Sequence, residues 1–477
     1  MFKKYFFLLA LLLLLPVYAN AADVSSAERV ADSGGFKTSA LFDGNSRYGS
    51  KAQDHAFLTL THPDGLRWVY LIFDTEYDSF TVTDEDTGET CTAGQEQFLH
   101  TLVDLDALFG HCPETVTLSF DSGPVPLLEV SLFTDGALPD WVQQWEPPVE
   151  DGADLVLFST HADDEQLFFA GVLPYYAGEL GYRVQVVYLT NHRNLSKNPN
   201  LRCHEALDGL WAVGVRNYPV FGEFGDYFSR RKEDALSLLA YQGVTEEELL
   251  DYVVAQIRRF RPLVAVGHDL NGEYRHGGHM LYADLLIRSA ELAVDEGQFP
   301  QSAAQYGTWQ IPKIYLHLYE ENPIVMDWDQ PLSHFGGMTA FEVTKELGFP
   351  CHASQKEDFS WYMAGANQAA DIQKYSPCYY GLWSSTVGPD ETGGDFFEHL
   401  STYDQQAEQA RLEEARRLEA QARLEEEARL EAARREQTAQ TSPTEAPSPA
   451  IPLPWMLIVF PILLVSFSLV LLFRKKK

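Results

Sequence analysis

The residues best suited to chemistry in this chain fall in two short polar runs. One is Ser159-Thr160-His161-Ala162-Asp163-Asp164-Glu165, and the other is Gly272-Glu273-Tyr274-Arg275-His276-Gly277-Gly278-His279. Imidazole and carboxylate are the donors that bind Zn2+ and related divalent ions, and three such donors leave a coordination position open for water. The ion lowers the pKa of that water and polarises a carbonyl. A spare carboxylate beside the water takes its proton, and an acid opposite serves a poor leaving group such as an amine. Fixed donors then meet the charge that develops on the tetrahedral oxygen. If the two runs converge, they have the makings of a hydrolytic metal centre.

Simpler readings exist for each residue. Asp163, Asp164 and Glu165 suit a helix N-terminus, where carboxylates are favoured without any catalytic duty. His276 and His279 read equally as loop histidines between glycines, Arg202 as an exposed helical partner of Glu205, and Tyr274 as a packing residue. His192, His268 and His317 also lie near strand ends and read as structural or peripheral.

The elements around these runs make convergence plausible on pattern alone. Asp154-Leu155-Val156-Leu157-Phe158 and Leu263-Val264-Ala265-Val266-Gly267 are apolar runs of buried-strand type, and each leads directly into one polar run. The first is followed by a helix near 165–177, strand Val184 to Leu189 and a helix near 200–213. A helix opening at Thr245-Glu246-Glu247-Glu248 leads to the second, followed by a helix near 280–294 and strand Lys313 to Leu318. Alternation of this kind predicts an α/β domain with a largely parallel sheet covered on both faces. Open sheets of that class place ligands at the carboxyl ends of their strands.

Residues 22–146 read differently. Ala56 to Thr61, Trp68 to Phe73, Thr115 to Phe120 and Leu127 to Phe133 are short β-rich runs separated by Asp, Gly and Pro, which predicts an all-β sandwich. Pro147-Pro148 marks the boundary, and the α/β domain is expected over 150–402. In 403–440, Leu412, Leu418, Leu424 and Leu430 recur every six residues, which is no heptad seam. The same repeat offers Glu413 to Arg417, Glu419 to Arg423, Glu425 to Arg429 and Glu431 to Arg435 as i, i+4 pairs. A self-supporting single-helix stalk of roughly 50 Å is expected, with self-association as the alternative.

The ends of the chain suggest export. Lys3 and Lys4, the apolar run Tyr5 to Val17 and Ala19-Asn20-Ala21 have the form of a signal peptide over 1–21. Residues 441–454 form a Pro/Ser/Thr linker; Trp455 to Phe473 is an uncharged apolar stretch long enough for a transmembrane helix, and 474–477 is a basic cytoplasmic tail. Basic residues flank both apolar segments on the cytoplasmic side, so the body is expected outside a cell membrane. In an oxidising compartment Cys91 with Cys112, and Cys351 with Cys378, are candidate bridges, with Cys203 left over. A formal charge of −34 argues against a nucleic-acid partner, since that binding needs Lys and Arg to neutralise phosphates.

Taken together, the motifs resemble a known family. His161-Ala162-Asp163-Asp164-Glu165 is similar to the His-Pro-Asp-Asp-Glu motif of the PIG-L/LmbE-like zinc-dependent N-acetylglucosaminyl de-N-acetylases. Arg202-x-x-Glu205-Ala206 with Val213-Gly214-Val215 resembles the family's helix after the second strand. Gly272-Glu273-Tyr274-x-His276-x-x-His279 resembles its second motif, Gly-x-Tyr-Gly-His-x-x-His. The resemblance implies a Rossmann-like fold and a Zn2+ ion, or another divalent ion such as Fe2+, held by His161, Asp164 and His279. It also implies Asp163 as general base, His276 as general acid or electrophile, Tyr274 at the oxyanion and Arg202 facing a polar or anionic substituent of the substrate. Ala162 stands where the family has Pro, Arg275 where Gly is usual and Gly278 where many members carry Asp. If that Asp orients the imidazole, His276 lacks its partner here, and Asp269 is the candidate substitute. Separately, Phe42-Asp43-Gly44-Asn45 ahead of aromatic strands resembles discoidin-type carbohydrate-binding sandwiches, with a spacer domain as the alternative.

The expectation is therefore an exported, membrane-anchored, zinc-dependent amide hydrolase acting on an N-acetylated amino sugar or glycoconjugate. The alternative is a surface glycan-binding protein whose deacetylase-like domain is weak or inactive.

Overall fold

The computed structural model describes residues 20–121, 123–192 and 200–440. The chain divides into two compact units, one up to Gln406 and one from Ala407. The part of the expected signal peptide before Asn20, the expected linker, the apolar stretch 455–473 and the basic tail lie outside the described residues. Among those described, no helix is long and apolar enough to cross a membrane.

Alternating apolar and polar residues build the N-terminal region. In β3 (Ala56–Thr61) and β8 (Thr115–Phe120) every second residue is buried, as a strand with one wet face requires. The two pair antiparallel, and Thr59–Thr117 and Thr61–Thr115 hydroxyls meet at 2.9 and 3.1 Å on the outer face. With β1 (Val30–Asp32), β5 (Phe80–Asp84) and β6 (Thr90–Ala93) they form a sheet in the order β1-β3-β8-β5-β6. A second sheet runs β2-β9-β4-β7, from β2 (Ser50–Ala52), β9 (Val125–Phe133), β4 (Trp68–Phe73) and β7 (His100–Asp104). Leu58, Leu118 and Phe120 of one sheet and Val69, Leu71 and Val130 of the other share one apolar core.

The α/β region is a six-stranded sheet, β11-β10-β12-β13-β15-β14. β10 (Leu155–Ser159), β11 (Val184–Tyr188), β12 (Val264–Gly267) and β13 (Lys313–His317) are parallel. β15 (Tyr379–Ser385) runs antiparallel to β13 and carries the edge strand β14 (Pro323–Val325). Leu155 and Leu157 enter one apolar cluster, and Val156 and Phe158 enter another on the opposite face. Burial on both faces is why β10 reads as a continuous apolar run.

Several expectations need adjustment. The helix expected near 165–177 is interrupted: an α-turn Asp164–Leu167 is followed by a π-helical turn Pro174–Glu179. Gly171 lies between them at φ 95°, with the Trp328 side chain packed against its Cα, so the helix cannot run through. Helix Glu246–Phe260 starts where expected, and Thr245 and Glu248 close a capping box there. The two antiparallel strands and the helix Lys232–Tyr241 were not legible as elements.

All five cysteines are free thiols. Cys91 Sγ lies 3.8 Å from the Leu108 carbonyl and Cys351 Sγ 3.3 Å from that of Leu347, so the proposed bridges do not form. Helix Tyr403–Gln440 leaves Leu412, Leu418, Leu424 and Leu430 exposed. Of the four expected i, i+4 pairs, Glu431–Arg435 is made; Arg417 turns instead to Glu414, one residue nearer.

Candidate metal centre

Leu157 of β10 pairs with Val266 of β12, so the carboxyl ends of both strands open on the same edge of the sheet. That adjacency delivers the two polar runs to one place. His161 follows β10 in the turn, Asp164 opens the short α-turn, and His279 lies in the first turn of helix Gly277–Leu292. All three are buried.

Their donor atoms converge. His161 Nδ1 is 3.0 Å from Asp164 Oδ2 and 3.2 Å from His279 Nε2, and His279 Nε2 is 3.2 Å from Asp164 Oδ2. A tetrahedral centre with N and O ligands at about 2.0–2.1 Å sets those ligands roughly 3.3 Å apart, so the triangle fits a divalent ion. The far nitrogens agree. His161 Nε2 lies 3.1 Å from Asp226 Oδ1, and His279 Nδ1 lies 2.7 Å from Glu273 Oε2. A carboxylate on the outer nitrogen draws the proton there and leaves the inner lone pair for a metal.

The electrostatics favour a cation. Burial works against charge on His161, yet the Asp226 and Asp164 carboxylates lift its pKa to about 10. His279 is lifted to about 9 in the same way, against burial, by Asp164 and Glu273. The imidazoles of His279 and His161 hold Asp164 well below the usual carboxylate range despite its burial.

His268 also lies within reach of Asp164 and His279. Its Nε2 already accepts the Thr160 N–H at 2.9 Å and its Nδ1 faces Glu273 at 2.9 Å, so it has no lone pair to give. His276 sits on the other side, with its ring stacked on His279 at 4.5 Å and edge-on to His161 at 4.7 Å. Its Nδ1 accepts the Gly278 N–H at 3.1 Å and caps the helix, which leaves the proton on Nε2. Burial and the neighbouring His279 and His161 rings push its pKa down to about 2, so it is a neutral imidazole.

The remaining sequence candidates gather around this triangle. Asp163 is buried at φ 135°, a strained conformation for a side chain with a Cβ. Burial raises its pKa to about 7, with the nearby Arg202 guanidinium opposing the rise. Arg202 itself is buried, and its Nη2 donates to Asp163 Oδ1 at 2.8 Å and to the Ala162 carbonyl. Its guanidinium is therefore engaged with the protein rather than set in an open cleft. Tyr274, at φ 42°, places its ring 5.4 Å from both His276 and His279.

One expectation about His276 is corrected. Asp269 does not substitute for the missing carboxylate; its Oδ1 accepts from Asn271 instead. A Cβ at Gly278 would stand 3.0 Å from His276 Nδ1 and Cε1, so the imidazole as it lies leaves little room for an Asp there.

Sequence reasoning missed Asp226 and the role of Glu273. Glu273 stood inside a quoted motif but at a position without a motif assignment. Asp226 follows Val220 to Gly225, a segment that meets its neighbours through isolated parallel bridges to Val187 and Thr190, too weak a strand signal to flag its end. Of the structural or peripheral reading, His268 and His317 fit the structural half: both contact Glu273 directly behind the centre.

Residues 156–290 match the family PIG-L, described as GlcNAc-PI de-N-acetylase. A 1D-myo-inositol 2-acetamido-2-deoxy-alpha-D-glucopyranoside deacetylase of Streptomyces avermitilis is 28% identical over 295 residues, covering 52% of this chain and 97% of the relative. A deacetylase of the same description from Catenulispora acidiphila is 27% identical over 219 residues, covering 41% of this chain and 65% of the relative. Among solved structures, N,N'-diacetylchitobiose deacetylase from Pyrococcus horikoshii is similar at 15% identity and a TM-score of 0.33, covering 49% of this chain and 84% of that one.

Proposed function

We propose that this chain is a zinc-dependent amide hydrolase that removes the acetyl group from an N-acetylated amino sugar or glycoconjugate. The observation that carries the reading is the triangle of His161 Nδ1, Asp164 Oδ2 and His279 Nε2, flanked by a poised carboxylate and a neutral imidazole. The relatives' described reaction, deacetylation of a 2-acetamido-2-deoxy-glucopyranoside, supports the substrate class.

His161, Asp164 and His279 would hold the ion, which when bound supplies an activated water and a polarised carbonyl. Asp163, with its pKa near neutrality, accepts the proton of the attacking water. Arg202 holds that carboxylate in place from behind. Asp163 then passes the water's proton to the departing nitrogen, while His276, a neutral imidazole protonated on Nε2, acts as an electrophile that together with the Tyr274 hydroxyl donates hydrogen bonds to the oxyanion.

Beyond the reaction, the reading places the body on the extracytoplasmic side of a cell membrane. Support comes from Lys3, Lys4 and the apolar segment after them, and from Trp455 to Phe473 with its basic tail. The exposed helix Tyr403–Gln440 acts as a stalk, either alone or in self-association. Phe42-Asp43-Gly44-Asn45 ahead of aromatic strands supports glycan contact for the two-sheet region, with a spacer domain as the alternative.

Purified full-length chain, assayed for bound zinc and for release of acetate and free amine from a panel of N-acetylglucosamine derivatives, tests the reading. One zinc per chain with amine release is expected. A zinc-loaded, folded chain that releases neither product from any of the panel overturns it.

A further inference from the structure

A group of cations meets beside the metal triangle of this otherwise acidic chain. Segment 226–231 starts at Asp226, which faces His161 Nε2 at 3.1 Å, and continues along the second polar run. Phe228 sets its ring edge-on to His276 with centroids 5.1 Å apart, and the Ser229 carbonyl accepts the Gly277 N–H at 2.8 Å. A Cβ at Gly277 would stand 2.1 Å from Ser229 Oγ and 2.4 Å from the Arg231 carbonyl oxygen, so glycine is what lets the two segments lie this close. The contact brings Arg230, Arg231 and Lys232 up to Arg275, the residue before His276, and the four share an open cavity of about 370 Å³ with Glu233 and Asp284.

Two of these cations are already answered. Arg231 Nη2 lies 3.2 Å from Glu233 Oε2, and Lys232 Nζ lies 2.8 Å from Asp284 Oδ1. Arg230 and Arg275 are exposed, and among the described residues neither meets a carboxylate within ion-pair distance. Arg230 lies over the Phe228 ring at 5.7 Å instead. Phe228 is itself 60% exposed, an apolar face left in water while touching both Arg230 and His276.

A chain of formal charge −34 repels anions at long range, so a local surplus of positive charge beside the centre runs against the overall field. Arg202, the cation that the resemblance turns towards the substrate, is occupied by Asp163 and the Ala162 carbonyl. We propose that Arg230 and Arg275, together with the Phe228 ring, form an anion subsite at the rim of the metal centre that selects N-acetylated amino sugars bearing a phosphate or carboxylate on the adjoining unit. The proposal rests on the deacetylase reading above and narrows its substrate class. A guanidinium presents paired N–H groups to either anion, so the subsite reads the charge and geometry that the two share. Phe228 takes the apolar face of the sugar ring and holds the charged substituent within reach of the two guanidinium groups.

Three glycosides of N-acetylglucosamine test the subsite on the zinc-loaded full chain: the neutral methyl glycoside, the methyl phosphate diester at the same position, and the glycoside of glucuronic acid. Binding is read by calorimetry and turnover by release of acetate and amine. At least one anionic glycoside is expected to bind wild type about 5–30-fold more tightly than the neutral one, with the ratio falling to near one in Arg230→Ala/Arg275→Gly. Arg275→Lys is expected to keep part of the preference, and high salt to reduce it. Preference for the diester alone assigns the anion to phosphate, and preference for the glucuronide alone assigns it to carboxylate; either supports the subsite. Equal binding of neutral and anionic glycosides by wild type overturns it whether or not the variant folds, and so does a preference that survives in the folded double variant. Anion preference without release of either product overturns the hydrolase reading and leaves the subsite standing. A chain that neither binds nor cleaves any of the three overturns both.

Discussion

Arg202 Nη2 donates to Asp163 Oδ1 across 2.8 Å, and both side chains are buried. This contact ties the helix Leu201–Ala212 to the turn that follows β10, and it separates two jobs within adjacent carboxylates. Asp164 points to His161 and His279, whereas Asp163 points to the guanidinium.

The separation predicts different phenotypes for neighbouring substitutions. Asp163→Asn removes the proton acceptor and leaves the donor triangle intact. Zinc content is expected to stay near wild type while kcat falls by about 10²–10⁴. Equal loss of zinc in Asp163→Asn and His161→Ala would contradict the division of labour.

Metal affinity should fall in two grades. His161→Ala removes a ligand and is expected to abolish stoichiometric zinc. Asp226→Asn removes only the group that orients His161 from Nε2, so affinity is expected to drop about 10–100-fold. Chelator competition on both variants distinguishes the grades; identical affinity of Asp226→Asn and wild type would remove Asp226 from the site.

Zinc uptake should be linked to pH. In the metal-free chain His161 and His279 are lifted to about 10 and about 9, so near neutral pH both carry the proton that an ion must displace. Binding therefore releases protons, and apparent affinity rises as pH increases towards those values. Calorimetry at pH 7 in buffers of different ionisation heat measures the release. Zero proton release would show that the rings are already neutral.

A second pH effect belongs to folding. Burial lowers the pKa of His204 to about 4 and holds His100 well below the ordinary histidine value, and the two rings face each other at 3.1 Å. Their folded values lie below the unfolded value near 6.5. The unfolded chain therefore binds protons first, and stability is full above that value and declines as pH falls towards 4. For His204 the decline amounts to about 3 kcal/mol. Urea midpoints at pH 7 and pH 5, compared between wild type and His204→Gln, check this; the variant should lose part of the pH dependence.

Gly171 supplies the stability prediction. A Cβ there would stand 2.4 Å from Trp328 Cγ, on a backbone at φ 95°. Gly171→Ala is expected to destabilise the chain by about 1–3 kcal/mol, the range for overpacking and left-handed strain. An unchanged melting temperature would mean that the indole yields freely.

How much of this was written in the sequence depends on the range of the interaction. Leu155 to Ser159, Val264 to Gly267 and the helix start at Thr245 follow from local pattern, because period, propensity and caps act within a few residues. The motif residues His161, Asp163, Asp164, His276 and His279 were likewise legible as residue types suited to a metal centre. Pairing of β10 with β12, which sets the two runs side by side, was only an inference from alternation until the register was seen.

The tertiary structure alone decided the rest. Glu273, His268 and His317 come together from a loop and a strand end, and Asp226 reaches His161 from a segment with almost no strand signal. The same holds for Arg202, whose helix pattern suited an exposed face equally well, and for Gly171, where Trp328 arrives from far along the chain to end a helix. Sequence pattern reports which side chains are apolar or ionisable. Which of them share a buried proton or a packing contact is set by long-range packing, where one charge is stable only if its partners arrive with it.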